Sequence, residues 1–377
     1  MGTIIFLLSG GLVLYVIVLY PLLLGLRARR PKPIRKEFIP RSVSAVIAVR
    51  NGAPWVRQKL DSILTLTYPA DLLEILVISD GSDDGTDDIA REFEPLGVRL
   101  LRVPQGGKPA ALTAGIPLTR HELLLLTDVR QEIEPDALRH MVACFADPAV
   151  GVVSGELLIR SGETQAEGNV GLYWRYESWI RQCLSNIDSM LGATGPFYMI
   201  RRELTQPLDP DCLLDDMFLP LGAFFRGYRC VLEPAARAID YPTSLETEFR
   251  RKVRTLAGNY QIVKYYPGLL GPQNRMWIDF VSYKLGRLAL PFALLGTAIS
   301  AFWLPFWLAV AAVTMQAGLY GLALGDPWIP ESSLLKRLTS PARTFVVLVA
   351  AALCATAIFV VPPKKLWKPT RTRAAGV

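Results

Sequence analysis

Two stretches of this chain run so long without a charged side chain that a lipid bilayer is the natural place for them, and they decide where the rest can fold. From Thr3 to Leu26 there are 24 uncharged residues, interrupted only by small residues and Pro21. A helix of that length crosses a hydrocarbon core of about 30 Å. No basic residue precedes the run, and it exceeds the roughly 7–15 residues of a signal-peptide core, so a membrane anchor is the better reading. Arg27, Arg29, Arg30, Lys32, Arg35 and Lys36 follow at once, which by the positive-inside rule places the next domain in the cytoplasm. The second stretch, Leu288 to Gly325, has 38 residues without a charge, about twice one span at roughly 1.5 Å rise per residue. Two short helices turning near Pro305 account for it. Phe345 to Val361 is a third candidate of 17 residues, at the short end of the spanning range. If all of these cross, the tail bearing Lys364, Lys365, Lys368, Arg371 and Arg373 lies outside, against the rule; a re-entrant segment and an exception to the rule both stay open.

The expected layout is a transmembrane helix at 1–26, a cytoplasmic domain at 27–287 ending in interface helices, a hairpin at 288–325, a helix at 344–361 and a basic tail at 362–377. Such a chain is an integral protein of the plasma (inner) membrane. Composition agrees: 51% hydrophobic and 20% charged residues with a mean hydropathy of +0.28 exclude a disordered chain. The net charge of +7 gathers at Arg27–Lys36, Arg250–Arg254 and the tail, a distribution that suggests membrane and substrate contacts and no nucleic acid. Five cysteines without CxxC pairing suit a reduced compartment. Two histidines, His121 and His140, rule out a three-histidine zinc site.

Residues 27–287 are enough for one α/β domain with a full core. Val43–Val49, Leu73–Ser79, Val98–Val103 and Leu123–Thr127 read as apolar strands. Pro54–Leu66, Asp84–Phe93 and Pro109–Ile116 read as the helices between them. This alternation predicts a mostly parallel, doubly covered sheet, in which ligands bind at the carboxyl ends of the strands.

Those ends carry the chemistry. Asp80-Gly81-Ser82 follows the second strand and Asp128-Val129-Arg130 the fourth, with Gly106-Gly107-Lys108 between them. A glycine loop and a lysine at a helix N-terminus can cradle a diphosphate. Alone, each is weak, since an Asp-Gly-Ser loop is more often ordinary turn chemistry. Further on, Gly192-Ala193-Thr194-Gly195 permits close backbone approach. Asp215-Asp216 sits among large apolar residues, either as a helix-capping pair or as a carboxylate tuned for general-base work. Arg250-Arg251-Lys252-Val253-Arg254 is either a lipid-facing surface or an acceptor-side cluster.

Taken in order, these residues resemble the family 2 glycosyltransferases, specifically the membrane-embedded branch similar to cellulose, hyaluronan and poly-N-acetylglucosamine synthases. The resemblance covers about residues 42–265 and includes Val46–Gly52, the Asp80 loop, Gly107-Lys108, Asp128, Gly192–Gly195, Asp215-Asp216 and Gly227-Tyr228-Arg229 leading to Glu233-Pro234. It implies a GT-A fold that binds a nucleotide diphosphate sugar, with a UDP-sugar as the expected donor. Asn51, Asp80, Ser82, Lys108, Asp128 and Arg130 would line the donor side. Gly192, Thr194, Gly195, Asp215, Arg251 and Arg254 would line the acceptor side. Asp216 would be the base and Asp128 would hold a divalent cation, Mg or Mn. A polysaccharide or a lipid would accept the sugar.

Two positions depart from the family pattern. The second metal acid is replaced by Arg130, which cannot ligate a cation and is expected to offer its own charge to the diphosphate. Arg251-Lys252-Val253-Arg254 is followed by Thr255 where the synthases have tryptophan, so polymerisation does not carry over. Trp174 and Trp179 are alternative sugar-stacking or membrane-interface aromatics. The competing readings are a single-addition glycolipid glycosyltransferase and a degenerate nucleotide-sugar-binding subunit. A dinucleotide oxidoreductase is disfavoured because no GxGxxG follows the first strand.

Overall fold

The computed structural model describes residues 1–159, 165–241 and 244–366, the first eight of the second stretch as backbone only. Its described residues divide into two compact units, one built from Arg30–Arg160 and Arg181–Tyr241, the other from Met1–Arg29, Ser161–Ile180 and Pro242–Thr372.

The first unit is an eight-stranded sheet: β1 (Val43–Val49), β2 (Leu73–Asp80), β3 (Val98–Val103), β4 (Leu123–Thr127), β5 (Glu132–Ile133), β6 (Val150–Ile159), β7 (Phe197–Arg201) and β8 (Arg229–Asp240). Their spatial order is β3-β2-β1-β4-β7-β6-β8-β5. Strands β1 to β4 pair in parallel, as do β6 and β8, while β7 runs antiparallel to both its neighbours and β5 antiparallel to β8. The expected α/β class and largely parallel sheet are therefore observed.

Strand β1 explains the burial. Its Val43, Ala45, Val46, Ile47 and Val49 point to both faces of the sheet, and all are buried, as period-2 alternation demands of a strand covered on both sides. Each of the larger side chains contributes about 1.5–3 kcal/mol on burial. The helices Ala53–Leu64 and Ala137–Cys144 supply part of the cover, through Val56, Leu60 and Ile63 and through Leu138, Met141 and Val142. Parallel pairing of β1 with β2 and β4 leaves the carboxyl ends of these three strands on one side, where the sequence places Asn51, Asp80 and Asp128.

The second unit contains four helices long and apolar enough to cross a membrane: Gly2–Arg27, Trp277–Trp303, Phe306–Trp328 and Lys336–Phe359. The turn at Pro305 is where the sequence puts it. The apolar runs, however, mark only the uncharged parts of longer helices. The first hairpin helix begins at Trp277 and contains Asp279, which accepts from Arg27 at 2.7 Å. The last helix begins at Lys336 and has 24 residues, against the 17 of its uncharged run. Lys336 and Arg343 are accommodated there because both lie within 3.3 Å of the buried Asp326. Such pairing is what permits charge at the end of a long apolar helix. Of the basic tail, Lys364 and Lys365 lie on a short helix, Pro363–Leu366; Lys368, Arg371 and Arg373 lie outside the described residues.

Candidate active site

The site is assembled at the strand ends of the sheet unit. After β1, Asn51 adopts φ 51°, a left-handed conformation that asparagine tolerates because its short amide bonds locally. Its backbone amide donates to Ser82 Oγ at 3.1 Å, and its Oδ1 accepts from the Asp83 amide at 3.1 Å. The two expected donor-side loops are thus tied to one another.

Asp80 ends β2 and is 3% exposed. Its Oδ1 accepts from the Gly106 amide at 2.7 Å, and its Oδ2 from the Gly107 amide at 2.9 Å. Gly107 has φ 90°, a backbone state that a side chain would strain. The carboxylate therefore shapes the glycine loop that starts the helix Lys108–Gly115. Lys108 Nζ donates to Asp128 Oδ1 at 2.8 Å and lies 3.2 Å from Asp215 Oδ2. Burial works against its charge, but Asp128, Asp215 and Asp216 together hold its pKa well above the usual lysine value.

Behind Asp128 lies a lysine that the sequence reading passed over. Lys59 is 1% exposed and donates to Thr127 Oγ1 at 2.6 Å and to the Gln131 carbonyl at 2.7 Å. Burial pulls its pKa down to about 7, with Asp128 opposing. A signal existed: Lys59 lies three residues after Val56 on the apolar face of its helix, where a solvated lysine does not belong.

Arg130 is the principal correction. Its Nη2 donates to Asp240 Oδ2 at 2.7 Å, and the two side chains are 16% and 4% exposed. The guanidinium expected to serve a diphosphate is held instead in a buried ion pair with the end of β8.

Asp215 and Asp216 open the helix Asp215–Phe225, where the helix dipole favours negative charge. The Gly192–Gly195 loop presses on them. Ala193 donates its amide to the Asp216 carbonyl at 2.7 Å. A β-carbon at Gly192 would lie 2.7 Å from Met217 Cγ, and one at Gly195 would lie 2.6 Å from Asp216 Oδ2. Thr194 anchors the loop: its amide donates to Ser154 Oγ at 2.9 Å, and its Oγ1 accepts from Arg181 Nη1 at 2.8 Å. Tyr198 on β7 is fully buried, and its hydroxyl makes no hydrogen bond. Desolvation first, then the charges of Asp215, Asp216 and Asp128, push its pKa well up, so the phenol stands within the field of all three carboxylates.

Arg251 and Arg254 belong to the other unit, on the helix Leu245–Tyr265. Arg251 pairs with Glu248 at 2.5 Å and lies over the Trp174 ring at 4.5 Å from its centroid. Lys252 donates to the Tyr173 hydroxyl at 2.8 Å, and burial brings its pKa down to about 8. Thr255 donates to the Arg251 carbonyl at 2.9 Å and offers no ring. Trp179 lies beside Gly25 of the first long apolar helix, where a β-carbon would sit 3.0 Å from its ring. A cavity of about 560 Å³ lined by Thr113, Ile116, Glu122, Arg201, Arg202 and Gln206 contains none of the expected site residues.

Family models match this chain twice: Glycosyl transferase family 2 over residues 44–208 and Glycosyl transferase family group 2 over residues 128–324. The chain belongs to glycosyl transferase family 2. Among its relatives are the beta-monoglucosyldiacylglycerol synthase of Trichormus variabilis, 27% identical over 72% of this chain and 61% of that protein, and the poly-beta-1,6-N-acetyl-D-glucosamine synthase of Staphylococcus epidermidis, 25% identical over 62% and 60%. The glycosyltransferase thus spans about three fifths of the length of these two relatives. A mannosyltransferase from Pyrobaculum calidifontis, solved in complex with GDP-Man and Mn2+, superposes with a TM-score of 0.70 at 22% identity, over 93% of this chain and 99% of that one. That likeness establishes the GT-A fold of the transferase.

The neighbour's Mn2+ raises the question of a metal here, and the donor set does not fit one. A hard divalent cation beside a diphosphate takes one or two carboxylates, phosphate oxygens and waters, so the carboxylate expected to hold it here, Asp128, would have to be free of Lys108. The second acid is Arg130, Lys108 is hydrogen-bonded to Asp128, and no group of three His, Cys, Asp or Glu side chains suited to a metal occurs among the described residues.

Proposed function

We infer that this family 2 glycosyltransferase moves a sugar from a nucleotide diphosphate sugar, with a UDP-sugar as the expected donor, to a polysaccharide or lipid-linked acceptor, inverting the anomeric carbon. The observation that carries the reading is the closeness of Asp216 to the Gly195 backbone, where an added β-carbon would lie 2.6 Å from Oδ2, in the same unit as the Lys108–Asp128 pair. A carboxylate held this tightly is a suitable general base for an acceptor hydroxyl. The hydroxyl oxygen attacks the anomeric carbon, its proton passes to Asp216, and the sugar–diphosphate bond breaks with its electron pair leaving on the diphosphate. Asn51, Asp80 and Ser82 shape the nucleotide side; Gly192, Thr194, Gly195 and Asp215 shape the acceptor side of the sheet unit. Asp128, the residue expected to hold Mg or Mn, is hydrogen-bonded to Lys108, and Arg130 stands where a second acid would be.

Four apolar helices and the Arg27–Lys36 cluster support a plasma-membrane protein with its sheet unit in the cytoplasm. The names of the two relatives support a lipid or a polymer as acceptor. The test incubates membranes containing the protein with a panel of labelled nucleotide sugars and asks whether label enters lipid or polymer. Asp216→Asn should abolish transfer and leave donor binding nearly intact; a variant retaining a substantial fraction of turnover refutes the base assignment. A single-addition glycolipid transferase is the second reading, favoured by Thr255 in place of a ring. Products carrying one sugar, and no longer series at high donor, distinguish it from a polymerase.

A further inference from the structure

We propose that Lys108 is the resident cation of the donor site, and that Asp128 serves to hold this ammonium, so that the diphosphate binds and departs without a divalent metal. The proposal rests on the donor-site reading given above and concerns what neutralises the leaving group within it.

Three observations converge. First, the residue that would complete a metal site is Arg130, and its guanidinium is tied to the buried Asp240 at 2.7 Å, so it neither ligates a cation nor reaches a phosphate in this arrangement. Second, Lys108 Nζ lies 2.8 Å from Asp128 Oδ1 and 3.2 Å from Asp215 Oδ2, placing one positive charge where two carboxylates converge. Asp215 Oδ2 is buried and accepts no hydrogen bond, so this oxygen faces the ammonium as an ion-pair partner. A dication seated on Asp128 would meet this ammonium, and like charges disfavour it. Third, the ammonium is built in. Asp80 shapes the Gly106-Gly107 turn through backbone amides at 2.7 and 2.9 Å, and Lys108 is the first residue of the helix that follows. The lysine therefore arrives on a loop held by a buried carboxylate, not on a free surface.

An ammonium has three donors and no acceptor. One is directed to Asp128 and another faces Asp215, which leaves a third for a diphosphate. In the transfer step Lys108 keeps its proton. The new bond joins acceptor oxygen to anomeric carbon, the old sugar–oxygen bond releases its electron pair to the diphosphate, the acceptor's proton goes to Asp216, and the ammonium stabilises the charge that accumulates on the leaving oxygens. Asp128 is in this account a positioning residue.

The test uses the full chain in detergent and two probes, UDP and GDP, with binding measured by titration calorimetry in excess chelator and again with added Mn2+. At least one nucleotide should bind in chelator, with an affinity that Mn2+ changes by less than about threefold. Lys108→Met should weaken that binding by about ten- to hundredfold, the range of a lost charge-assisted hydrogen bond, and Mn2+ should not restore it. Lys108→Arg keeps the charge and should retain most of the binding, which guards against a fold defect in the methionine variant. Binding that appears only with Mn2+, or no binding of either nucleotide in chelator, overturns the proposal, as does a methionine variant that binds like the parent. If a nucleotide binds in chelator as expected but no labelled donor yields product, the transferase reading fails and the inference stands. If transfer occurs but requires Mn2+, the inference fails and the transferase reading stands.

Discussion

Gly195 lies so close to Asp216 that a β-carbon added to it would come within 2.6 Å of the carboxylate Oδ2. The rotamer of the carboxylate assigned as the base therefore depends on the absence of a side chain in the loop before β7, at a glycine that takes no part in proton transfer. Gly195→Ala should lower kcat by about a hundredfold, the order expected of a misplacement near 1 Å, with a much smaller change in donor affinity. Comparing kcat with calorimetric donor binding checks this; an equal loss in both would point to a collapsed loop.

The Arg130–Asp240 pair joins residues 110 positions apart in a buried setting. Removing one partner leaves a buried charge without its counterion, which costs about 3–5 kcal/mol. Asp240→Asn should therefore lower the thermal midpoint markedly, whereas the double change Arg130→Met with Asp240→Leu should recover most of that loss. Melting curves of the three proteins in one detergent decide the matter, and equal destabilisation of single and double variants would sink it.

Lys59 carries a pH signature. Its folded pKa is about 7 against about 10.4 in an unfolded chain. Between those values the unfolded state binds more protons, so stability rises with pH through this window, by at most about 1.4 kcal/mol per unit. Lys252, brought down to about 8, acts in the same direction over a narrower range. Lys59→Met should remove the larger contribution and flatten the rise in thermal midpoint between pH 7 and 9.5. An unchanged slope would show that Lys59 is charged when buried or is not buried.

Asp80 accepts hydrogen bonds from the amides of Gly106 and Gly107, and bonds to a charged acceptor are about twice as strong as neutral ones. Asp80→Asn turns one acceptor oxygen into a donor facing an amide. KM for the donor should rise about tenfold or more, while the thermal midpoint falls by only a few degrees. Steady-state kinetics against donor concentration provide the readout.

Much of the fold was legible because its signals are local. Strands β1, β3 and β4 fall where uninterrupted apolar runs place them, and β2 extends one residue further to include Asp80. The later strands were not. β8 contains Arg229, Glu233, Arg237 and Asp240, a composition that reads as a surface segment. Yet Arg229 is buried, donating to the carbonyls of Asp188, Lys32 and Ser185. β6 contains Gly151 and Gly155, and its pairing with β8 shifts register near both, so its alternation is broken where a strand pattern would be sought.

By itself, the sequence determined the long apolar runs, the α/β class and the candidate carboxylates, because apolar runs, turn residues and motif spacing act over a few residues. Only the tertiary structure decided the partners: Arg130 with Asp240, Lys108 with Asp128 and Asp215, Gly195 against Asp216. A charge can pair with any opposite charge, and a glycine can admit any neighbour. Which one it meets depends on which strand ends the sheet order brings together, and no local pattern encodes that choice.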